Sequence, residues 1–221
     1  MGQTYTVKQG DFLAKIAHQH GFGDWKTIYN HAQNTGLRSK RPNPNILSPG
    51  DVVYIPDKKV KHTGHATAKK HKFVVKKEKI LIRIAAKDAK CDPLALNKFE
   101  LALDGQVYSK TQAQDANLQK GIIEQKVSSS VDEGRLRLWT TAKADPDFVF
   151  KVLVGHLDPI EELSGVQARL NHLGFDCGRV DGTDGPGTQQ AVRTFQQQFG
   201  HRVTGSVDQA TRDKLKAVHG C

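Results

Sequence analysis

RVDGTDGPGTQQAV, residues 179–192, is followed by a second version of the same pattern, RVTGSVDQATRDKL, residues 202–215. The two copies share Arg-Val, a glycine two places later, a threonine and a final apolar residue. The second copy lacks counterparts of Gly185 and Gly187, so the turn does not need these two glycines to form. The pattern predicts a repeated turn that leads each time into a helix.

Apolar residues with helical spacing flank both copies of this turn. The predicted stripes are Leu163, Val166, Leu170 and Leu173, then Ala191, Val192, Phe195 and Phe199, then Leu215 and Val218. Each stripe ends close to a glycine, which is typical of a helix C-terminus. The last third of the chain is therefore predicted to contain three short helices that share one core.

GTDGPGT, residues 182–188, has the glycine and threonine spacing of a phosphate-binding loop. Such a loop also requires a lysine and a preceding buried strand. The lysine is missing, and the preceding GFDCGRVDG lacks the apolar residues of a strand. We interpret the segment as a turn, with Pro186 near the helix start and Thr188 or Asp184 available as a cap.

The stretches VQARLNHLGFDCGRVDGTDGPGTQQAVRTFQQQFG and VTGSVDQATRDKL resemble the three-helix peptidoglycan-binding domain of cell-wall amidases and carboxypeptidases. The resemblance spans residues 163–218 and implies wall binding near the end of the first helix and the glycine loop. The residues that it indicates are Gly174, Asp181, Gly182, Thr188, Gln189 and Arg193. For Asp181 and Thr188 the alternative role is purely structural, as turn and cap.

The ending HGC, together with Cys177 in DCG, resembles the same region of proteins encoded beside type VI secretion spike genes. From this resemblance we expect a disulfide between Cys177 and Cys221 if the protein reaches an oxidising compartment. The third cysteine, Cys91, stands apart.

The first 57 residues show a short alternating strand, two segments with helical spacing and a final strand. YTVKQGDFLAKIA and NPNILSPGDVVYIP resemble the two ends of a LysM domain, a βααβ module that binds N-acetylglucosamine-containing glycans. The resemblance implies a groove between two loops, formed by Gly10, Asp11, Phe12, Leu13, Asn45, Ile46 and Leu47. Asp11 is also expected to cap the first helix.

Two features depart from this family. Phe12 replaces the usual threonine, and NTGLRSKRPNPN is longer than the typical segment before the last strand. The longer variant resembles LysM domains of tail and spike proteins of contractile injection systems, in which the domain can hold protein rather than sugar. Trp25 and Tyr29 have helical spacing and are interpreted as core residues.

Residues 73–157 consist of short alternating runs separated by Gly, Asp, Pro or Ser, a pattern typical of an all-β sandwich. Phe99, Leu101 and Leu103 are expected on one face of a strand, and Asp104-Gly105 in a tight hairpin turn. The order of the runs resembles prealbumin-like or carboxypeptidase-regulatory-like sandwich domains. The overall expectation is a multidomain α+β chain: residues 1–57, a linker at 58–72, the sandwich at 73–157 and the helical domain at 158–221.

The net charge of +10 comes from the region around this linker, because residues 58–90 contain 12 basic and 2 acidic residues, 12 − 2 = +10. A run of like charges without interleaved aromatic residues is typical of a solvated tether rather than a nucleic-acid groove. An attraction to anionic polymers such as wall phosphates is the alternative.

No catalytic constellation stands out. Cys91 and His156 lack a third group that would orient the base, and the ten histidines include no metal-binding spacing. We therefore predict no catalytic residues, no metal and no cofactor.

The resulting prediction is a non-enzymatic peptidoglycan-binding protein that is an accessory or cargo of a type VI-like secretion apparatus. Its expected partners are peptidoglycan and spike or baseplate proteins, without specific nucleic acid or a membrane span. A structural adaptor and a cell-wall hydrolase are the two alternatives. MGQTYTVKQGDFL shows no secretion signal, so we expect cytoplasmic synthesis and non-classical delivery to the periplasm or wall.

Overall fold

The computed structural model describes residues 2–58, 64, 67, 69–70, 72 and 79–220. The strands are β1 (Gln3–Thr6), β2 (Val52–Ile55), β3 (Lys79–Ala85), β4 (Lys98–Leu103), β5 (Gln106–Thr111), β6 (Ile122–Ser128), β7 (Glu133–Trp139) and β8 (Phe148–Leu153). The α-helices are α1 (Leu13–Gln19), α2 (Lys26–Tyr29), α3 (Thr35–Lys40), α4 (Leu163–His172), α5 (Pro186–Gln198) and α6 (Gln209–His219). The mixed α+β class is confirmed.

The chain divides into two compact units, one formed by residues 1–81 and 126–131 and the other by residues 82–125 and 132–221. The predicted four-part division is finer than this and stays a prediction. Among the described residues, no helix is both long enough and apolar enough to cross a membrane.

In the first unit, β1 and β2 pair antiparallel, with Gln3 opposite Ile55. The helices cover a core whose buried members are Val7, Leu13, Ile16, Ala17, Ile28, Leu37, Leu47, Val53 and Ile55. The lengthened segment before β2 is not an open loop. A short 3-10 helix, Ala32–Asn34, leads into it, and the segment contains α3, which places Leu37 in that core.

Asp51 organises the turn that leads into β2. Its carboxylate accepts a 2.8 Å hydrogen bond from Arg41 Nε and a 2.9 Å bond from the Ser48 amide. Both Arg41 and Asp51 are buried, whereas Lys40, which contacts the same carboxylate, is largely exposed. Burial alone would raise the pKa of Asp51, but the bonds from Arg41, Ser48 and Lys40 outweigh it and lower the pKa.

Asp11 plays a similar part in the turn that follows β1, next to the Asp51 turn, since the Val7 amide donates to the Asp51 carbonyl oxygen. Its carboxylate accepts hydrogen bonds from the Lys8 amide at 2.9 Å and from the Tyr5 hydroxyl at 2.7 Å. Burial and the bond to Asp11 raise the pKa of Tyr5 to about 12. The expectation that Asp11 caps α1 was wrong, because Phe12 occupies the N-cap position and no side chain caps that helix.

The second unit contains an antiparallel sheet with the strand order β5-β4-β7-β8, while β3 and β6 pair separately. Phe99, Leu101 and Leu103 are all buried on one face of β4, as predicted. Asp104 and Gly105 have φ values of 46° and 76° and connect β4 to β5 in a two-residue turn. This left-handed pair confirms the predicted hairpin.

Helices α4, α5 and α6 enclose the other core of this unit. Phe195 lies at its centre, with ring centroids 5.3 Å from Phe175 and 4.8 Å from Phe199. The start of α4 packs so closely on the preceding segment that a Cβ on Gly165 would lie 1.9 Å from the carbonyl oxygen of Pro159. Only glycine fits there.

We expect Arg41→Met to destabilise the N-terminal domain by about 3–5 kcal/mol, because it leaves the buried Asp51 carboxylate without its buried cation. Amide hydrogen exchange of β1 and β2 measures the effect. Lys40→Met is the matched control: it removes an exposed cation from the same carboxylate and should cost about 1 kcal/mol or less. Equal effects of the two substitutions would contradict this account.

Candidate functional site

The first copy of the repeated turn is held by the side-chain amide of Gln167, which is only 1% exposed. Gln167 Oε1 accepts hydrogen bonds from the amides of Asp181 and Gly182 at 3.1 and 2.8 Å. Its Nε2 donates to the Thr183 carbonyl oxygen at 3.0 Å and to Thr188 Oγ1 at 2.9 Å. One side chain of α4 therefore fixes both the turn and the first turn of α5.

The second copy of the turn is held in the same way by Gln196 on α5. Gln196 Oε1 accepts from the amides of Thr204 and Gly205 at 2.8 and 3.0 Å. Its Nε2 donates to the Ser206 carbonyl oxygen and to Thr211 Oγ1, both at 3.0 Å. The repeat seen in the sequence is thus a repeat of hydrogen bonding, in which Thr211 is the counterpart of Thr188.

The two turns differ in what covers their central glycine. Gly182 and Gly205 have nearly equal φ values of 72° and 77°. A Cβ on Gly205 would lie 2.8 Å from Nε of Arg193, so that guanidinium covers the second turn. On Gly182 the nearest atom would be Ser164 Cβ at 4.0 Å, and the turn is open to solvent.

The structure brings only some of the predicted wall-binding residues together. Asp181, Gly182 and Thr188 meet at Gln167. Ser164, near the start of α4, is the residue nearest to the position that a Cβ on Gly182 would take. Gly174 lies beyond the other end of the same helix, ten residues from Ser164 and hence about 15 Å from it along the helix axis. Arg193 belongs to the second turn.

The expected caps of α5 are corrected by the structure. Gly185 is the N-cap residue, and neither Asp184 nor Thr188 caps the helix. Pro186 occupies the first turn as predicted. Gln189 is partly buried, and its backbone N–H donates to the Gly185 carbonyl oxygen at 3.0 Å.

Gln167 and Gln196 were not among the predicted site residues, although the sequence contains a signal for them. Each glutamine directly follows a buried stripe residue, Val166 or Phe195, and so interrupts the apolar face of its helix at the same place. A polar side chain that recurs inside an apolar stripe indicates a buried hydrogen-bonding role.

Cys177 is buried, and its sulfur lies 3.7 Å from the Phe175 carbonyl oxygen. Cys221 lies outside the described residues, so the Cys177–Cys221 disulfide stays a prediction. Cys91 packs against the edge of the helical core, and burial raises the pKa of its thiol. A raised pKa disfavours the thiolate that nucleophilic catalysis would require.

The two N-terminal loops predicted to form a glycan groove do meet in the structure, since the Leu13 amide donates to the Pro44 carbonyl oxygen at 3.2 Å. Phe12, Leu13 and Leu47 are buried in the domain core, and Gly10 and Asp11 are buried as well. Asn45 is exposed and Ile46 partly exposed. The parts of these loops open to a ligand are therefore at Asn45 and Ile46.

The last turns of α4 and α6 are joined by two histidines. His172 Nδ1 lies 3.1 Å from His219 Nε2, and Lys87 Nζ donates to the Val218 carbonyl oxygen beside them. Burial, reinforced by the positive charges of His172, Arg169 and Lys87, lowers the pKa of His219 to about 3. Among the described residues, no three His, Cys, Asp or Glu side chains cluster as metal ligands.

Residues 161–215 match the protein family described as "Putative peptidoglycan binding domain". The chain contains a peptidoglycan-binding domain. The match begins just before α4 and ends within α6, so it includes both glutamine-held turns.

Curated relatives share this region. A spore cortex-lytic enzyme of Oceanobacillus iheyensis is 47% identical over 55 residues, which are 25% of this chain and 20% of the relative. The spore cortex-lytic enzyme of Halalkalibacterium halodurans is 35% identical over 81 residues, 37% of this chain and 23% of the relative. The similarity thus spans about a fifth of the relatives' length. No solved structure shows a significant match.

These relatives are named as lytic enzymes, which contradicts our prediction of a non-catalytic, non-enzymatic binder. The hydrolase alternative agrees better with them. The comparisons support peptidoglycan as a partner, but they do not support spike or baseplate proteins as partners.

We expect Gln167→Met to reduce the stability of α4–α6 by about 2–4 kcal/mol, because methionine keeps the volume but makes none of the hydrogen bonds. Amide hydrogen exchange of these helices is the appropriate measurement. Tryptophan fluorescence would not report on them, because both tryptophans lie in other parts of the chain. Gln196→Met should have a similar cost. Gln197→Met, at an exposed neighbouring position, should have almost none, and a loss as large as that of Gln167→Met would contradict the assignment.

The stability of the helical domain should fall as the pH drops below about 6.5, the ordinary pKa of histidine in an unfolded chain. His219 has a lower pKa when folded, so the unfolded chain takes up the proton first and stability is lost toward pH 3. Hydrogen exchange of α6 at pH 7 and pH 5 measures this loss. His219→Gln should flatten the dependence, and His201→Gln should retain it; an unchanged dependence in His219→Gln would exclude this origin.

Proposed function

We propose that this protein takes part in peptidoglycan lysis and that its C-terminal domain is the module that binds the substrate. The match of residues 161–215 to the peptidoglycan-binding family carries the proposal. The names of the relatives, which share this region at up to 47% identity, support the lytic context. The site of action is then the cell wall.

The open first turn is the part of the domain best suited to contact the wall. Gly182 presents backbone without a covering side chain, and Gln167 holds this backbone in one conformation. A surface fixed before binding loses little conformational entropy when the ligand arrives.

The N-terminal domain is a candidate for a second glycan contact, given its resemblance to LysM domains. The hydrogen bond between Leu13 and Pro44 joins the two loops on which this family binds sugars, and the exposed Asn45 lies directly beside it. Two weak sites on one chain would gain affinity for a polymer through linkage.

We expect the full-length chain to co-sediment with purified sacculi and to remain bound at 0.5 M salt, where exposed charges are screened beyond about 4–5 Å. A control variant with Lys69, Lys70 and Lys72 replaced by Gln should sediment like the wild type. Binding that disappears in salt or in this variant would assign it to the basic residues between positions 58 and 72 and contradict the proposal.

The same incubation measures lysis. We expect soluble muropeptides to appear over time with the wild-type chain, and fewer with Gln167→Met, because the binding module is loosened. Failure to release muropeptides from sacculi that the chain demonstrably binds would contradict the lytic part of the proposal and leave the binding part standing.

A further inference from the structure

The repeated turns share two surface residues that the fold does not use. Arg179-Val180 precedes the first turn and Arg202-Val203 precedes the second. The hydrogen bonds that hold the turns go instead to the three residues that follow each pair and to the helical threonines. Turn chemistry alone would therefore accept many other residues at the Arg-Val positions.

Both valines are about half exposed. Val180 is 47% and Val203 51% exposed, and both rank among the exposed large hydrophobic residues of the described chain. An exposed valine costs hydrophobic free energy that a polar residue would not. The same cost appears at the same place in both copies, which points to a use outside the folded chain.

The two arginines are also exposed, and the structure shows no hydrogen bond or ion pair from either guanidinium to another described residue. An arginine fork that donates no hydrogen bond to the described chain suits a carboxylate, to which it can donate two parallel hydrogen bonds. A valine beside it suits a methyl group. Each turn thus presents a cation next to an apolar contact.

We propose that Arg179-Val180 and Arg202-Val203 are two equivalent contacts for the carboxylates and methyl groups of peptidoglycan stem peptides, rather than for its sugars. This inference rests on the proposed function of the C-terminal domain. Thr188 and Gln196, which fix the two turns, lie eight residues apart on α5 and hence about 12 Å apart along its axis. The rigid helix holds the two contacts at a set distance, as a repeating polymer requires.

The second contact is the more strongly cationic of the two. Asp181 lies within electrostatic reach of Arg179 in the first turn, but its counterpart in the second turn is the uncharged Thr204. Arg193 adds a further positive charge over Gly205. Loss of Arg202 should therefore weaken carboxylate binding more than loss of Arg179.

The test compares binding of the full-length chain to intact sacculi and to the glycan strands that an amidase releases when it removes the stem peptides. On intact sacculi, Arg179→Gln and Arg202→Gln should each lower affinity by about threefold, with Arg202→Gln the more severe, and the double variant by about tenfold. To these glycan strands, wild type and double variant should bind equally. The basic residues between positions 58 and 72 are the same in all variants, so they do not affect the comparison.

The double variant Lys90→Gln, Lys216→Gln is the control, since it removes the same charge from exposed positions of the same unit. It should bind intact sacculi like the wild type, and all variants should keep the wild-type melting temperature. Equal binding by the arginine double variant, or an equal loss on both substrates, would overturn the inference. If the wild-type chain binds neither substrate, the proposed function fails instead, and this inference with it.

Discussion

The C-terminal domain depends on a buried side-chain amide that satisfies the backbone of a turn. Gln167 supplies an acceptor for two adjacent amides and donors for a carbonyl and a hydroxyl, all from one group. A glutamate would lack the donors, and an apolar residue would make none of these hydrogen bonds. Because a buried unpaired polar group is costly, the turn and the helix that it leads into form together or not at all.

The N-terminal domain solves the same problem with charge. Asp51 accepts the Ser48 amide in a turn, but its own charge must then be matched by the buried Arg41. Such a pair holds the backbone firmly. Much of its favourable Coulomb energy, however, is cancelled by the cost of removing both charges from water. The neutral amide of Gln167 carries no such cost, which allows the C-terminal domain to use the device twice within a small core.

Much of the fold could be predicted because the relevant signals are local. The Asp104-Gly105 hairpin follows from backbone sterics alone, and the helical stripes from apolar spacing. The sequence did not reveal what joins distant segments. Gln167 and its partner Gly182 are 15 residues apart in the sequence. Likewise, α3 forms because Leu37 is buried by tertiary packing. That the relatives are named lytic enzymes was not foreseen for a related reason. The hydrogen bonds that define residues 161–215 hold two turns in place, and neither turn contains a group that indicates the activity named for the relatives.

Rigidity of the turns has a direct consequence for recognition. Loops usually lose conformational entropy when they bind, and this loss weakens shallow sites with few contacts. Here the entropy is lost during folding, because the two glutamines, both 1% exposed, fix the turns before any ligand is present. The helix α5 connects the two turns and sets their spacing, so contact at one turn positions the other. A small domain with an open glycine turn can in this way hold an extended polymer through several weak contacts, none of which needs a deep pocket.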